Sequence, residues 1–157
     1  MAEKTRRVLA IEGARIGFKN FRGEKDEVNK SGNRTCVVYI SDFAFAEELA
    51  DEGWNIKFPD QPEGHDSDER VRHPYLSLTA RYDNFPPKIY MIEETTQTKE
   101  LLNEETVSLL DTTELESVDL MITPYHYTAN GNTGVKAYIK EMYAVMVPSP
   151  FFAKYNW

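Results

Sequence analysis

Apolar and polar positions alternate with period two over much of the chain, which predicts a mainly β protein. The pattern is cleanest near the C-terminus. Val118, Leu120 and Ile122 alternate with Asp119, Met121 and Thr123, and Val135, Ala137 and Ile139 alternate with Lys136, Tyr138 and Lys140. The intervening NGNTG at 130–134 is turn chemistry, so the two runs read as a β-hairpin with a return strand through residue 147. Residues 75–82 place Leu76, Leu78 and Ala80 on one face and Tyr75, Ser77, Thr79 and Arg81 on the other. In 88–92, Ile89 and Met91 oppose Lys88 and Tyr90. Residues 8–21 predict a long strand whose apolar face, Ile11, Ala14, Ile16 and Phe18, slips once at Gly13. Arg15, Gly17, Lys19 and Phe21 then face the other way. Residues 35–40 are β-branched and aromatic, and 54–58 are briefly strand-like.

Two segments change period. Phe43, Ala46, Leu49 and Ala50 share a helical face, with Asp42 placed to cap the start and Gly53 to end it. A second short helix is expected over 101–111, with Asn103 as N-cap, Glu104 and Glu105 at its positive end, and Leu102 stapled onto Val107. Residues 21–34 should be a basic, mobile loop. Residues 59–74, with three Pro, Gly64 and five acidic residues, read as a solvated insertion. The expected organisation is one domain over 1–147, with 59–74 inserted and an aromatic tail at 148–157.

Composition narrows the class. At 157 residues, with 41% apolar and 28% charged residues, the chain can bury a real core. No apolar run approaches the roughly 18–20 residues of a membrane span, and no apolar stretch follows the opening MAEKTRR to make a signal peptide. A membrane partner is therefore not expected. Cys36 stands alone within TCVVYI, which excludes an internal disulfide, favours a buried thiol over a nucleophile, and suits a reducing cytoplasm.

Charge is sorted by segment. Residues 1–40 carry a net +4, 41–70 carry −8, 71–92 carry +2, 93–120 carry −8 and 121–157 carry +2. The positive blocks are also the β-like, tyrosine-bearing ones. A total of −8 argues against nucleic acid as a partner, but a binding face needs only local sign. Parity assigns an outward set of Arg15, Lys19, Phe21, Tyr39, Tyr75, Arg81, Lys88, Tyr90, Tyr125, Tyr127, Lys136, Tyr138 and Lys140. It contains no acid, although Asp119 and Glu141 stand at strand margins where parity is ambiguous. Rings that stack bases beside cations that track phosphates are what a single-stranded nucleic-acid groove requires. The plainer explanation is that Tyr, Thr and Lys suit solvated strand faces.

Nothing in the sequence assembles a catalytic site. His65, His73 and His126 lack metal-ligand spacing with one another or with Cys36, and 13–17 (GARIG) lacks the helix start of a phosphate loop. No metal, cofactor or catalytic residue is expected.

The order of four segments carries a resemblance: GARIGFKNFRG at 13–23, ADEGWNIK at 50–57, ETVSLLD at 105–111, and the hairpin from VDLMITPY at 118–125 to GVKAY at 134–138. Over roughly residues 8–147 the chain resembles the single-stranded-DNA-binding proteins of tailed bacteriophages. That resemblance implies an OB-fold, a Greek-key β-barrel closed here by the C-terminal hairpin, with ligand lying across a strand face. It implies that the loop at 22–34, with Arg22 and Arg34, and the hairpin tip at 128–133 flank the groove. It also implies a non-enzymatic protein that coats and protects single-stranded DNA without sequence preference during phage replication or recombination, in the cytoplasm of the bacterial host. Other replication or recombination proteins and further copies of the chain are conceivable partners. Such proteins often end in an acidic tail, whereas this chain ends PSPFFAKYNW. Two rival functions stand beside this one: a phage assembly barrel using its tyrosines as a subunit interface, and a metal-dependent nuclease drawing on the abundant carboxylates.

Overall fold

A computed structural model describes residues 7–25, 33–61, 72–83 and 86–148. Most of the basic loop (26–32), the acidic insertion (62–71) and the aromatic tail (149–157) lie outside the described residues, so the expectations for them stand as they were.

Five strands close a barrel. They are β1 (Leu9–Asn20), β2 (Arg34–Tyr39), β4 (Tyr75–Ala80), β7 (Leu115–Ala129) and β8 (Asn132–Met146). β1 pairs antiparallel with β2 and β7, β2 with β4, and β7 with β8. The ring is completed by a short parallel pairing of β4 with β8, Leu78 opposite Ala137 and Thr79 opposite Tyr138. β3 (Ile56–Lys57) extends the sheet beyond β4, while β5 (Lys88–Glu93) runs parallel to β8 and forms a hairpin with β6 (Thr98–Leu102). This is the expected mainly β, OB-like barrel closed by its C-terminal hairpin.

The alternation that predicted the strands also fills the barrel. Val38, Leu76, Leu78, Val118, Leu120, Ile122, Ala137, Ile139, Met142 and Ala144 all join one buried cluster. The single α-helix, α1 (Phe43–Glu52), buries Ala46 and Leu49 against it. Asp42 caps α1 by accepting from the Ala44 and Phe45 amides, and Gly53 ends it in the left-handed conformation at φ 111°. Cys36 is buried as expected, and burial, assisted by the charge of Asp111, pushes its thiol up to about 12. A thiol so disposed is an inert core group.

Two expectations are corrected. The helix anticipated over 101–111 is instead the end of β6, a turn, and a 3-10 helix at Val107–Asp111. Leu102 is buried and Leu101 exposed, the period of a strand pairing with β5 through Ile89 opposite Leu102. Asn103 still caps, since its Oδ1 accepts from the amides of Glu105 and Thr106, but it caps a turn.

The second correction concerns β1. Its pairing slips between Ile11 and Ala14, where Gly13 sits at φ 62°, as the sequence suggested. It slips again between Gly17 and Asn20, where Phe18 adopts φ 47°. The extra residue swaps the parity beyond it. Phe18 is therefore 77% exposed and Phe21 fully buried, the reverse of the sequence assignment. Asp111 fixes this geometry, its two carboxylate oxygens accepting from the amides of Phe21 at 2.7 Å and Arg22 at 2.9 Å.

Candidate nucleic-acid interface

Strand register aligns the outward side chains in rows. One row crosses β1, β2, β4 and β3 through Arg15, Tyr39, Tyr75 and Lys57. A second crosses β1, β2, β4, β8 and β7 through Asn20, Thr35, Thr79, Tyr138 and Thr123. The rows are four residues apart along β2, roughly 13 Å at the rise of a strand. Tyr39 and Tyr75 meet edge to face at 6.4 Å. Gly17 makes room for this, because a Cβ there would lie 2.6 Å from the Tyr39 hydroxyl.

The hairpin supplies the densest cluster. β7 runs through Pro124 without a slip, so Tyr125 is outward opposite Lys136 and Tyr127 is outward opposite Gly134. The hairpin turn is narrower than 130–134: Asn130 and Gly131 both take positive φ, 52° and 80°, the signature of a two-residue primed turn. Tyr125 stacks on its diagonal neighbour Tyr138 with centroids 5.3 Å apart, yet remains 48% exposed. The ammonium of Lys136 lies 5.5 Å from the Tyr127 centroid.

Two concavities meet at Tyr138 and Arg81. The larger, about 650 Å³, is lined by Arg81, Lys88, Tyr125, Tyr138 and Lys140 among others. The smaller, about 290 Å³, adds Arg34, Lys136 and Tyr82. Arg81 lies 5.7 Å over the Tyr138 ring and donates to its hydroxyl at 3.4 Å. Its Nε and Nη2 engage both oxygens of Asp83, at 3.1 and 2.6 Å, which holds the guanidinium well above its usual proton affinity. Arg34 rests over the Tyr82 ring at 5.7 Å and approaches Glu104 through its backbone carbonyl at 3.3 Å and its carboxylate at 3.7 Å. Burial pushes the Tyr82 hydroxyl up to about 12.

The structure thus brings Arg34, Arg81, Lys88, Tyr125, Tyr127, Lys136, Tyr138 and Lys140 into one neighbourhood, with Arg15, Tyr39 and Tyr75 on a separate row. Other members of the sequence set are disposed differently. Phe21 leaves it altogether, because its ring fills the core. Lys19 donates to the Thr113 carbonyl at 2.7 Å, beside Glu114 and Glu116. Arg22 lies 3.6 Å from Asp111 and 3.9 Å from Glu24. Tyr90 is stacked on Tyr143 at 5.1 Å and also carries Lys99 at 4.9 Å, so much of its ring is already used.

Nor is the outward face free of acid throughout. Asp119 is exposed opposite Tyr143, and its carboxylate receives the Gly13 amide at 2.8 Å. Glu141 sits opposite Lys88 and Met121 and accepts from the Tyr143 hydroxyl, which raises that phenol's pKa. The acid-free stretch is the distal half of the hairpin, from Thr123 to Tyr138. Sequence reasoning placed Phe18 in the core and did not set Tyr143 against Tyr90. The exposure of the first depends on a positive φ at a residue that rarely takes one, and the stacking of the second on pairing with β5. Among the described residues no group of His, Cys, Asp or Glu is arranged to hold a metal ion, and no helix is long and apolar enough to cross a membrane.

Comparison with known proteins bears on the chain as a whole. A family model for the phage ssDNA-binding domain matches residues 1–156. No curated protein matches the sequence. Among solved structures, the chain is similar to the single-stranded DNA-binding protein from bacteriophage Enc34, at 11% identity and a TM-score of 0.57, over 96% of this chain and 90% of that one. The same phage protein in complex with ssDNA gives 12% identity and a TM-score of 0.57, over 96% of each chain. At such identities the likeness establishes the fold.

Proposed function

The chain belongs to the phage ssDNA-binding domain family, and from that premise we propose that the Tyr125–Tyr138 stack and the cations around it are where it holds single-stranded DNA. The observation that carries the placement is the coincidence, at one point on the barrel, of the exposed Tyr125 ring stacked on the half-buried Tyr138 with Arg81 at the junction of two concavities and Arg34 and Lys136 lining the smaller of them. Rings offer a π-face that any base can use, and lysine and arginine contact phosphates without reading sequence, so binding is sequence-tolerant. Arg15, Tyr39 and Tyr75 continue the path along β2 and β4, with Thr35, Ser77 and Thr79 between. In this reading the protein coats and protects exposed single strands during phage DNA replication and recombination inside the infected bacterium, in company with other replication proteins or further copies of itself. Family membership favours binding over the assembly-barrel and nuclease alternatives.

Titrating a fluorescent thymidine oligomer at several salt concentrations tests this. Contacts to single-stranded phosphates contribute a log–log salt slope of about −0.7 each, so engagement of a few of these cations gives roughly −2 to −4. Duplex DNA, stiffer and with its bases stacked away from the rings, should bind far more weakly. Equal affinity for duplex and single strand defeats the proposal. Trp54 is a poor intrinsic reporter because it is buried, so anisotropy of the labelled DNA is the better signal.

A further inference from the structure

We infer that the cavity bordered by Arg34, Arg81 and Lys136 is a phosphodiester subsite that DNA enters by exchange, its phosphates displacing Asp83 from Arg81 and Glu104 from Arg34. The inference rests on the reading of this face as the single-stranded DNA site and names two residues that act against binding there.

The geometry supports exchange over a fixed ion pair. Asp83 meets the Arg81 fork with both oxygens, which is the two-point arrangement a phosphate also offers to a guanidinium. Arg34 is held in place, its side chain only 22% exposed and packed over Tyr82, whereas Glu104 beside it is 63% exposed. Asp83 is likewise 67% exposed against 41% for Arg81. In both pairs the cation is the more enclosed partner and the carboxylate stands nearer the solvent. The acids can swing out into water while the cations remain. The Arg34–Glu104 pair, at 3.7 Å with an exposed acid, is weak, and at Arg81 a phosphate offers the guanidinium the same two-point contact that Asp83 gives up. Asp83 and Glu104 line the same cavity as Lys136 and Tyr138, beside the path proposed for the DNA backbone.

Exchange has a measurable signature. A cation that is already neutralised contributes less to salt dependence, because the freed carboxylate regains counterions when DNA arrives. Asp83→Asn and Glu104→Gln should therefore each tighten binding to a thymidine oligomer at low salt, by about three- to tenfold. Each should also steepen the log–log salt slope by up to about 0.7, with the gain vanishing at high salt. Melting temperatures should be unchanged, since both side chains are exposed. Glu47→Gln, an exposed acid on α1, controls for net charge and should have little effect. Unaltered or weaker binding by Asp83→Asn and Glu104→Gln, or equal tightening by Glu47→Gln, overturns the inference. Tyr138→Ala separates this failure from failure of the site itself. Lost affinity in that variant alongside inert carboxylate variants removes only the exchange. Normal affinity in that variant removes the site, and the exchange with it.

Discussion

Phe21→Ala lowers the free energy of unfolding by about 3–5 kcal/mol, the largest stability effect expected of any residue once assigned to the binding face. Phe21 is fully buried at the end of β1, and its amide is held by Asp111, so truncation leaves a cavity in a backbone that cannot easily collapse. Phe18→Ala, three positions earlier, should change stability by no more than about 0.5 kcal/mol, because its ring is in solvent and contributes little packing. Urea denaturation of the two variants checks the contrast directly. At a few degrees of melting temperature per kcal/mol, the first should melt on the order of 10 °C lower. Similar losses in both would place the slip in β1 somewhere other than between Gly17 and Asn20.

On the binding side, Tyr138→Ala should cost single-stranded DNA affinity on the order of 1–3 kcal/mol, about five- to 150-fold, with melting almost unaltered. Tyr138 is placed to contribute more than Tyr39 or Tyr75, since it stacks on Tyr125, lies beneath Arg81 and borders both concavities. Removing it also releases the Arg81 guanidinium from the Tyr138 hydroxyl. Tyr125 and Tyr138 share one stack, so the Tyr125→Ala, Tyr138→Ala double variant should lose less than the sum of the single losses. A double-mutant cycle by anisotropy titration measures that coupling. Strict additivity would mean that the two rings engage separate bases.

Where the fold was legible, one local rule governed several successive residues. The hairpin could be read because every second position from Val118 to Ile122 and from Val135 to Ile139 is apolar, and its pairing keeps one register from Ile122 to the turn, shifting by one residue only between Met121 and Ile122 and again near Leu115. α1 could be read because Asp42 and Gly53 bracket its apolar face. The segment at 101–111 misled because Leu101, Leu102, Leu109 and Leu110 fit a helical spacing as well as they fit a strand end followed by a tight turn. What decides between them is pairing with β5, which is not local. Phe18 and Phe21 exchanged places for a similar reason: one left-handed residue reverses every later orientation in the strand. The candidate site was legible as a composition of tyrosines and cations on alternating positions. Its internal opponents were not. Glu104 reaches Arg34, and Asp83 enters the cavity shared with Lys136, only after the barrel has closed.

That closure has a mechanical side. The barrel is sealed between β4 and β8 by two residue pairs in parallel register, while the β7–β8 ribbon is paired over almost its whole length. A short parallel seam is the weakest line in such a cylinder, and local opening begins where the fewest bonds must break. One of the two pairs is Thr79 with Tyr138, and Arg81 follows directly after β4, so a strand of DNA held by Tyr138 and Arg81 would lie across the seam like a suture. Amide exchange with deuterated solvent at residues 77–80 and 136–139 should therefore slow on binding by more than the rest of the barrel, and the protein would be least prone to breathe at the very line where it grips its ligand.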